Sequence, residues 1–399
     1  MTTGEVIRRI RKSLGMTQTE FGQLINFSQP AVSLLENGGP ASHDIRILRL
    51  VARALGVPLA ILVVDSDEEA DVKRREFFKA GAIGGAGAAM MAAAGSVSAA
   101  SGVKVGAADV AAMQSSINQI HELDLLVGGD RLCHLAAGQT HYIQHLLDNG
   151  SYSDDTGRAL TSTAAEMMTA TGWVHFDAGR LDEARRYYAD AAQAATTADD
   201  GVGVSHALLN AAILSYQEKS RHREGIQLAE AAQSAALRQG GPRLRALGAI
   251  REAEAHGVAG DAPSMTKAIS RAHRAYDSSH GYDPEWVFFP PAELHGITGL
   301  AYMQIGDHQT ATKHLQAAID TSASWPRERA EWRIRLAENL IKAGEIAEGC
   351  SVLSSNFHEI NGPISTRQRW KLDTIDQHVR SHAAVPEVRE YVGLRTAHA

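Results

Sequence analysis

The sequence predicts an all-α protein in which a small helical domain precedes a long array of paired helices. Alanine is abundant among its 399 residues, whereas aromatic residues make up only 6%. This mixture favours closely packed helices over a β-sandwich or barrel. Only 11 prolines are present, and the strand-like alternation of apolar and polar residues does not stand out in the C-terminal part. At this length we expect two or three domains.

Charge is distributed unevenly along the chain. The net charge is −7, yet residues 1–64 carry seven Lys or Arg against four acids, a net charge of +3. An acidic run over residues 65–71 follows directly. A basic head on an acidic body is expected where one end of a protein meets nucleic acid. The isolated Cys133 and Cys350 exclude a disulfide framework and favour a reducing cytoplasm.

Boundary residues predict the first three helices of the head. An apolar stripe at residues 7, 10 and 14 predicts the first helix, which Gly15 ends. Thr17 followed by Glu20 is a capping-box pattern that starts the second helix. Ser28 caps the third helix, which carries Pro30 in its first turn. The buried side of the third helix is predicted to consist of Val32, Leu34 and Leu35.

Two further helices complete the predicted head. The sequence Asn-Gly-Gly-Pro at residues 37–40 ends the third helix. A fourth helix is predicted from about residue 44 to residue 55, and a short fifth helix follows Pro58. The second and third helices, joined by a tight break, form a helix-turn-helix arrangement.

The head resembles the Cro/CI (xenobiotic-response-element) family of DNA-binding domains over residues 7–62. The resemblance rests on residues 15–18 (GMTQ), 28–33 (SQPAVS), 35–38 (LENG) and 52–57 (ARALGV). It implies that Gln18 holds a DNA phosphate and that Gln29 and Ser33 face base edges, with Gln29 suited to adenine. The other implied DNA-binding candidates are Ser28, Arg8 and Arg11, the two arginines being phosphate-binding or structural.

The third helix contains no Lys or Arg, and in this respect it differs from a helix that contacts bases strongly. It therefore lacks the bidentate guanine contact, and base discrimination is expected to be modest for each head. Two alternatives remain open: a helix-turn-helix that serves only protein contact, or one that has lost DNA binding. Glu36, at the end of this helix, is predicted to be a structural partner of Arg8 or Arg11.

A linker is predicted over residues 65–106. Lys73–Lys79 (KRREFFK) resembles a twin-arginine export motif, and residues 80–103 that follow carry no charge. The motif lies behind a complete head, and the uncharged run is dominated by Ala and Gly, so a partly helical, flexible linker is favoured. Export of the body and a weak membrane-proximal anchor are the alternatives.

A helical repeat array is predicted over residues 107–399. Gly179 and Gly306 share a pattern in which Gly lies seven residues before, Ala five and twelve residues after, and a bulky residue nine residues after. The pattern is similar to the tetratricopeptide repeat, an α-solenoid in which small residues let antiparallel helices cross closely. Poorer copies occur near Gly225, Gly260 and Gly344. The resemblance implies a concave surface lined by the first helix of each pair.

Candidate ligand-binding residues lie on the predicted first helices and in one aromatic segment. Those on first helices are His175, His206, Asn210, Glu254 and Tyr302, each of which is alternatively a merely solvated polar group. The aromatic segment 282–291 adds Trp286 and Phe288, which would line a ligand pocket, anchor an interface or plug the array.

Patterns typical of enzymes are missing from the sequence. It contains no phosphate-binding loop, nucleophile elbow or credible paired-carboxylate site, so neither catalysis nor a cofactor is expected. His141 and His145 lie one helical turn apart and could hold zinc, but amphipathic packing is the favoured interpretation.

Together these features predict a cytoplasmic, nucleoid-associated transcriptional regulator. The head would bind a double-stranded DNA operator as a homodimer, because one small module reaches few bases. The body would dimerise and bind a signalling peptide, a small molecule or a partner protein, changing the spacing of the two heads. The alternative is an adaptor or scaffold whose body recruits a partner protein, with the helix-turn-helix as a tether.

Overall fold

The computed structural model describes residues 2–63, 103–278, 283, 287, 289–361 and 365–398. The twin-arginine motif and most of the predicted linker lie outside these residues, as do Trp286 and Phe288. The chain divides into two compact units, Met1–Thr163 and Ala164–Ala399. No helix within the described ranges is both long enough and apolar enough to cross a membrane.

The first unit contains the head and the helices that follow the linker. The helices of the head are α1 (Thr3–Ser13), α2 (Gln18–Ile25), α3 (Gln29–Glu36) and α4 (Ile45–Leu55), with 3-10 turns at Pro40–His43 and Leu59–Ile61. The predicted fifth helix is therefore a single 3-10 turn. After the linker come β1 (Val103–Lys104), α5 (Ala107–Val127), a 3-10 turn at Gly129–Arg131, α6 (Cys133–Asn149), β2 (Gly150–Ser151) and α7 (Asp154–Asp177). The two short strands pair in parallel.

Local capping interactions set the spacing of α2 and α3, as predicted. Thr17 and Glu20 form a reciprocal capping box at the start of α2. Asn26 ends α2 in the left-handed conformation with a φ of 57°, and the Ser28 side chain then caps α3 by accepting from the Ala31 N–H. These residues turn the chain sharply between the two helices.

The head is closed by contacts between its two ends and by contacts with later helices of the first unit. Thr3 Oγ1 donates to the carbonyl of Leu62 at 2.9 Å, which fixes the last turn of the head to α1. Arg131 Nη1 donates to the carbonyl of Ile61 at 3.1 Å, and Gln119 Nε2 to that of Gly56 at 3.4 Å. The last turn of the head therefore packs on the region that follows the linker.

The second unit is an array of antiparallel helix pairs. Beyond the end of α7 its helices are α8 (Leu181–Thr197), α9 (Gly201–Gln217), α10 (His222–Gln239), α11 (Pro242–Ala259), α12 (Ala262–Tyr276), α13 (Pro291–Gln304), α14 (His308–Thr321), α15 (Pro326–Lys342), α16 (Ile346–Ser355), α17 (Phe357–Ile360), α18 (Thr366–Val379) and α19 (Pro386–Ala397). Helices α7, α9, α11, α13 and α15 are the first helices of successive pairs. α9 packs on α11 and α11 on α13, so neighbouring first helices share one side of the array, which we call the inner face.

Close helix crossings occur where the repeat pattern predicts them. A Cβ built on Gly172 would lie 2.5 Å from the ring of Tyr188, and one built on Gly299 would lie 2.8 Å from Cγ of Leu315. Both bulky residues are buried. The glycine thus lets the bulky residue of the second helix reach the backbone of the first helix, which confirms the repeat at both places.

The turns between paired helices also follow the predicted pattern. Gly179 and Gly306 adopt left-handed φ values of 76° and 80°. Gly260 and Gly344, predicted in poorer copies of the repeat, do the same with φ values of 76° and 89°. A left-handed glycine ends the first helix of each of these pairs.

A methyl group added at Gly299 is expected to destabilise the array. In Gly299→Ala the Cβ would approach Leu315 and would lie 3.2 Å from the carbonyl oxygen of Ala311, so the helices must separate, at a cost of about 1–3 kcal/mol. Gly393→Ala, in α19, is the matched control because nothing lies within 4 Å of its Cβ, and helix propensity should raise its stability slightly. Urea unfolding monitored by circular dichroism compares the two variants, and equal midpoints would contradict the close crossing.

Candidate nucleic-acid interface and inner face of the array

Helix α3 exposes a face that combines polar side chains with one large apolar side chain. Val32 is buried in the core of the head, whereas Gln29 and Pro30 are exposed and Ser33 is half-buried. The prediction that Leu34 is buried is wrong, because its side chain is 59% exposed. Leu34 lies two residues after Val32, about 200° around the helix, and therefore belongs to the outer face.

Two of the predicted DNA-binding residues meet where α2 and α3 begin. Gln29 Nε2 donates to Gln18 Oε1 at 2.5 Å, and Gln18 Nε2 donates to Glu36 Oε2 at 2.9 Å. Gln18 is half-buried and Gln29 is exposed. The buried carboxylate of Glu36 therefore holds the Gln18 amide, and the Gln18 amide in turn orients the exposed amide of Gln29.

Glu36 is the buried centre of this network. Arg11 Nε lies 2.5 Å from Glu36 Oε1 and Arg8 Nε lies 3.4 Å from Oε2, while the Glu36 side chain is 0% exposed. The predicted structural role of Glu36 is thus confirmed. Burial opposes ionisation of Glu36, but hydrogen bonds from Arg11 and Gln18 and the charges of Arg11 and Arg8 outweigh it, so the pKa of Glu36 is lowered.

The two candidate arginines of α1 differ in their access to solvent. Arg11 is 5% exposed and also donates to the carbonyl of Met16. Of its two predicted roles, phosphate binding and structural support, these observations favour the structural one. The Arg8 side chain is 37% exposed and also donates to the carbonyl of Glu36 and to Asn37. Arg8 can therefore approach a phosphate while its position is held.

A cation that the sequence analysis counted but did not assign lies at the start of α4. The Arg46 side chain is 86% exposed, and its Nη2 lies 3.4 Å from Asp44 Oδ2. An exposed arginine in the first turn of a helix suits contact with a phosphate. Helical periodicity gave no reason to single out Arg46 from the other arginines of α4.

On the inner face, Asp177 joins the end of α7 to two helices far along the chain. Its carboxylate is 0% exposed and accepts from Arg327, at the start of α15, and from Arg367 Nε of α18 at 3.4 Å. Beside it, a Cβ built on Gly179 would lie 2.5 Å from the ring of Trp370. The turn after α7 therefore packs against α18 within the second unit.

Charged side chains continue along α15 toward its C-terminus. Arg367 Nη1 lies 3.3 Å and Arg335 Nε 2.8 Å from Glu331 Oε1. Arg335 Nη1 and Lys371 Nζ then lie 3.4 and 3.7 Å from Glu338 Oε2. The opposing arginine and lysine charges lower the pKa of Glu338 to about 2, although burial opposes this shift.

The structure groups some of the predicted ligand-binding residues. His206 Nδ1 lies 2.9 Å from Glu166 Oε2, and Asn210, one turn further along α9, is 9% exposed. On α11, Glu254 Oε2 accepts from Tyr216 Oη at 2.5 Å and from Arg251 Nη1 at 3.1 Å. These polar groups already have partners on the inner face.

The other two predicted ligand-binding residues that the structure describes, His175 and Tyr302, contact neighbouring rings. His175 is 5% exposed, and its ring centroid lies 5.1 Å from that of Tyr187. Tyr302 stacks on His314 with ring centroids 5.9 Å apart, and His314 Nδ1 in turn lies 3.3 Å from His295 Nδ1. Both side chains therefore contact aromatic or histidine rings, and Tyr302 also packs against a core cluster that includes residues of α11.

Two glutamates at the starts of first helices influence each other's ionisation. Burial raises the pKa of both Glu293, at the start of α13, and Glu328, at the start of α15, and the charge of Glu293 raises the pKa of Glu328 further. The two residues lie on different repeats, so no local motif pointed to them.

Comparison with known proteins identifies the head. Residues 7–62 match the family model described as Helix-turn-helix, and the head is a helix-turn-helix domain of the Cro/CI type. Domains of this type belong to DNA-binding transcription regulators.

A solved structure is similar to the chain along most of its length. It is the crystal structure of Bacillus thuringiensis PlcR in complex with the peptide PapR7 and DNA, at 14% sequence identity, with 96% of this chain and 99% of that chain covered. The TM-score of this match is 0.29. No curated protein is significantly similar to the chain.

Proposed function

We propose that the chain is a sequence-specific transcription regulator whose head binds an operator through α3 and whose helical body senses a signal. The observation that carries the first part is the orientation of Gln29, which is exposed at the N-terminus of α3 and hydrogen-bonded through Gln18 to the buried Glu36. Side chains held in this way lose little conformational freedom when they bind.

The operator contacts divide by chemistry. The N-terminus of α3 enters the major groove, where the Gln29 amide pairs with N6 and N7 of adenine and Ser33 reaches a neighbouring base edge. Gln18, Ser28 and Arg8 hold phosphates on either side, helped by the helix N-termini. Arg11 acts through Glu36, as a support for α3.

The body completes the regulator in this proposal. Residues 1–64 act as the DNA-binding domain, 65–106 as the linker and 107–399 as the dimerisation and sensing domain, in the cytoplasm at the nucleoid. The signal, a peptide, small molecule or partner protein, binds the inner face near His206, Asn210 and Glu254. A ligand that prefers one arrangement of the body by a few kcal/mol shifts the population toward it and so alters the geometry of the paired heads.

Gln29→Ala is expected to weaken operator binding about 5- to 150-fold, because a bidentate base contact contributes about 1–3 kcal/mol of discrimination. The operator is first selected from random double-stranded DNA with the full-length chain. Fluorescence anisotropy at a fixed salt concentration then measures the affinity.

Gln23→Ala is the matched control for this experiment, since Gln23 is also exposed but lies on α2 outside the α3 face. Light scattering should find the same oligomeric state for both variants. A Gln29→Ala chain that binds like the unmodified chain would refute the site. If no sequence is enriched, the scaffold alternative, in which the helix-turn-helix makes protein contacts, replaces the regulator.

A further inference from the structure

The outer surface of α3 carries two rows of side chains. Gln29 and Ser33 are four residues apart and form a polar row. Pro30 and Leu34, also four residues apart, form an apolar row beside it. Leu34 is 59% exposed and Pro30 is exposed as well. The two rows lie about 100° apart around the helix, so both can face the same groove of a DNA duplex.

Leu34 is held in place by the turn that follows α3. A Cβ built on Gly39 would lie 2.7 Å from Cγ and 3.1 Å from Cδ1 of Leu34, and the Gly39 N–H donates to the Leu34 carbonyl at 2.9 Å. Gly39 has a φ of −62°, which any residue can adopt, so its lack of a side chain makes room for Leu34 and is not required by the backbone. The leucine therefore lies against the turn on one side while most of its surface stays exposed.

The side chains of α3 restrict the bases that this helix can recognise. It has no Lys or Arg to contact guanine and no exposed Asp or Glu to contact cytosine. The amide of Gln29 suits adenine, as proposed above. The apolar row cannot form hydrogen bonds, and the apolar group that base edges present in the major groove is the 5-methyl group of thymine. The two rows together therefore match the two bases of A·T pairs.

We propose that Leu34 recognises the methyl group of a thymine in each operator half-site. Contact between the methyl group and the leucine removes apolar surface from water on both molecules. Because the turn at Gly39 already holds Leu34, the side chain loses little conformational freedom when it binds. This inference rests on the proposed operator binding through α3 and adds a specificity-determining residue to it.

The test removes that methyl group from the DNA. The operator is selected from random double-stranded DNA with the full-length chain, and each thymine position is then replaced by deoxyuridine in both half-sites at once. Deoxyuridine pairs with adenine but lacks the methyl group. Fluorescence anisotropy at a fixed salt concentration measures the affinity. At one thymine position the unmodified chain should lose about fourfold in affinity per half-site, the effect expected for one buried methyl group.

Two variants distinguish contact with Leu34 from a general effect of the methyl group on the DNA. Leu34→Ala should bind the thymine operator more weakly than the unmodified chain and should no longer distinguish thymine from deoxyuridine at that position. Leu24→Ala is the matched control, since Leu24 is 56% exposed but lies on α2, and it should keep the full dependence on the methyl group. Light scattering should give the same oligomeric state for all three chains.

Three results would overturn the proposal. In the first, every thymine of the selected operator can be replaced without loss of affinity. In the second, Leu34→Ala keeps the dependence on the methyl group that the unmodified chain shows. In the third, Leu34→Ala changes the oligomeric state and weakens binding equally on both DNAs, which would assign this face to contact between protein chains.

The same operator separates failure of this inference from failure of the proposed function. Gln29→Ala is measured on it in parallel. Binding that depends on Gln29 but not on any thymine methyl group contradicts this inference and leaves the regulator standing. If no sequence is enriched, the proposed function is refuted and this inference is refuted with it.

Discussion

Glu36→Gln is expected to destabilise the head by about 3–5 kcal/mol, the usual cost of removing one partner from a buried ion pair. The substitution leaves the guanidinium of Arg11, which is 5% exposed, without a countercharge. It also weakens the acceptor of Gln18, which orients Gln29. Operator affinity should therefore fall together with stability.

Hydrogen exchange in the full-length chain measures this effect over residues 3–63. Asp44→Asn is the matched control, since Asp44 pairs with the exposed Arg46 and asparagine still caps α4. In Asp44→Asn, the protection of the head against hydrogen exchange should stay close to that of the unmodified chain. Unchanged protection in Glu36→Gln would show that the buried network does not support the head.

The same network predicts how the stability of the head depends on pH. The folded-state pKa of Glu36 lies below its ordinary value of 4.5, so its contribution is complete above that value. The contribution is lost as the pH falls further through the folded-state pKa. Hydrogen exchange at successively lower pH should show this loss in the unmodified chain and little of it in Glu36→Gln.

Asp177→Asn is expected to have an effect of similar size on the second unit. The Asp177 carboxylate is 0% exposed, and the side chain of its partner Arg327 is 9% exposed, so neutralising it leaves buried positive charge at a cost of about 3–5 kcal/mol. The turn at Gly179 would lose its attachment to α18. Exchange should accelerate in residues 176–181 and 365–372 before the other helices respond.

Thermal unfolding and hydrogen exchange of Asp177→Asn test this expectation. Asp182→Asn is the control, because Asp182 is exposed in the first turn of α8. If both variants retain the protection of the unmodified chain at residues 365–372, Asp177 does not hold the turn to α18.

Features that depend on neighbours along the chain were predictable from the sequence. The caps at Thr17 and Ser28 and the left-handed glycines at the repeat turns follow from local chemistry. The crossings at Gly172 and Gly299 were predictable because the repeat places the same residue sizes at the same offsets.

Features that depend on the arrangement of the helices were not predictable. Asp177 meets Arg367 only because the array brings residues 190 positions apart together, and no local pattern encodes that closure. The electrostatic interaction between Glu293 and Glu328, on different repeats, escaped notice for the same reason. Leu34 was misplaced because α3 has only eight residues, too few for apolar spacing to distinguish its two faces.

The central claim is that the head binds specific operators through α3. It is tested most directly in cells that express the chain from its own gene. Chromatin immunoprecipitation with sequencing of the natively expressed, tagged chain would be compared with a Gln29→Ala/Ser33→Ala variant. We predict discrete peaks that contain two related half-sites and disappear in the variant. Peaks that persist unchanged in the variant, or a profile without peaks above background, would contradict the claim.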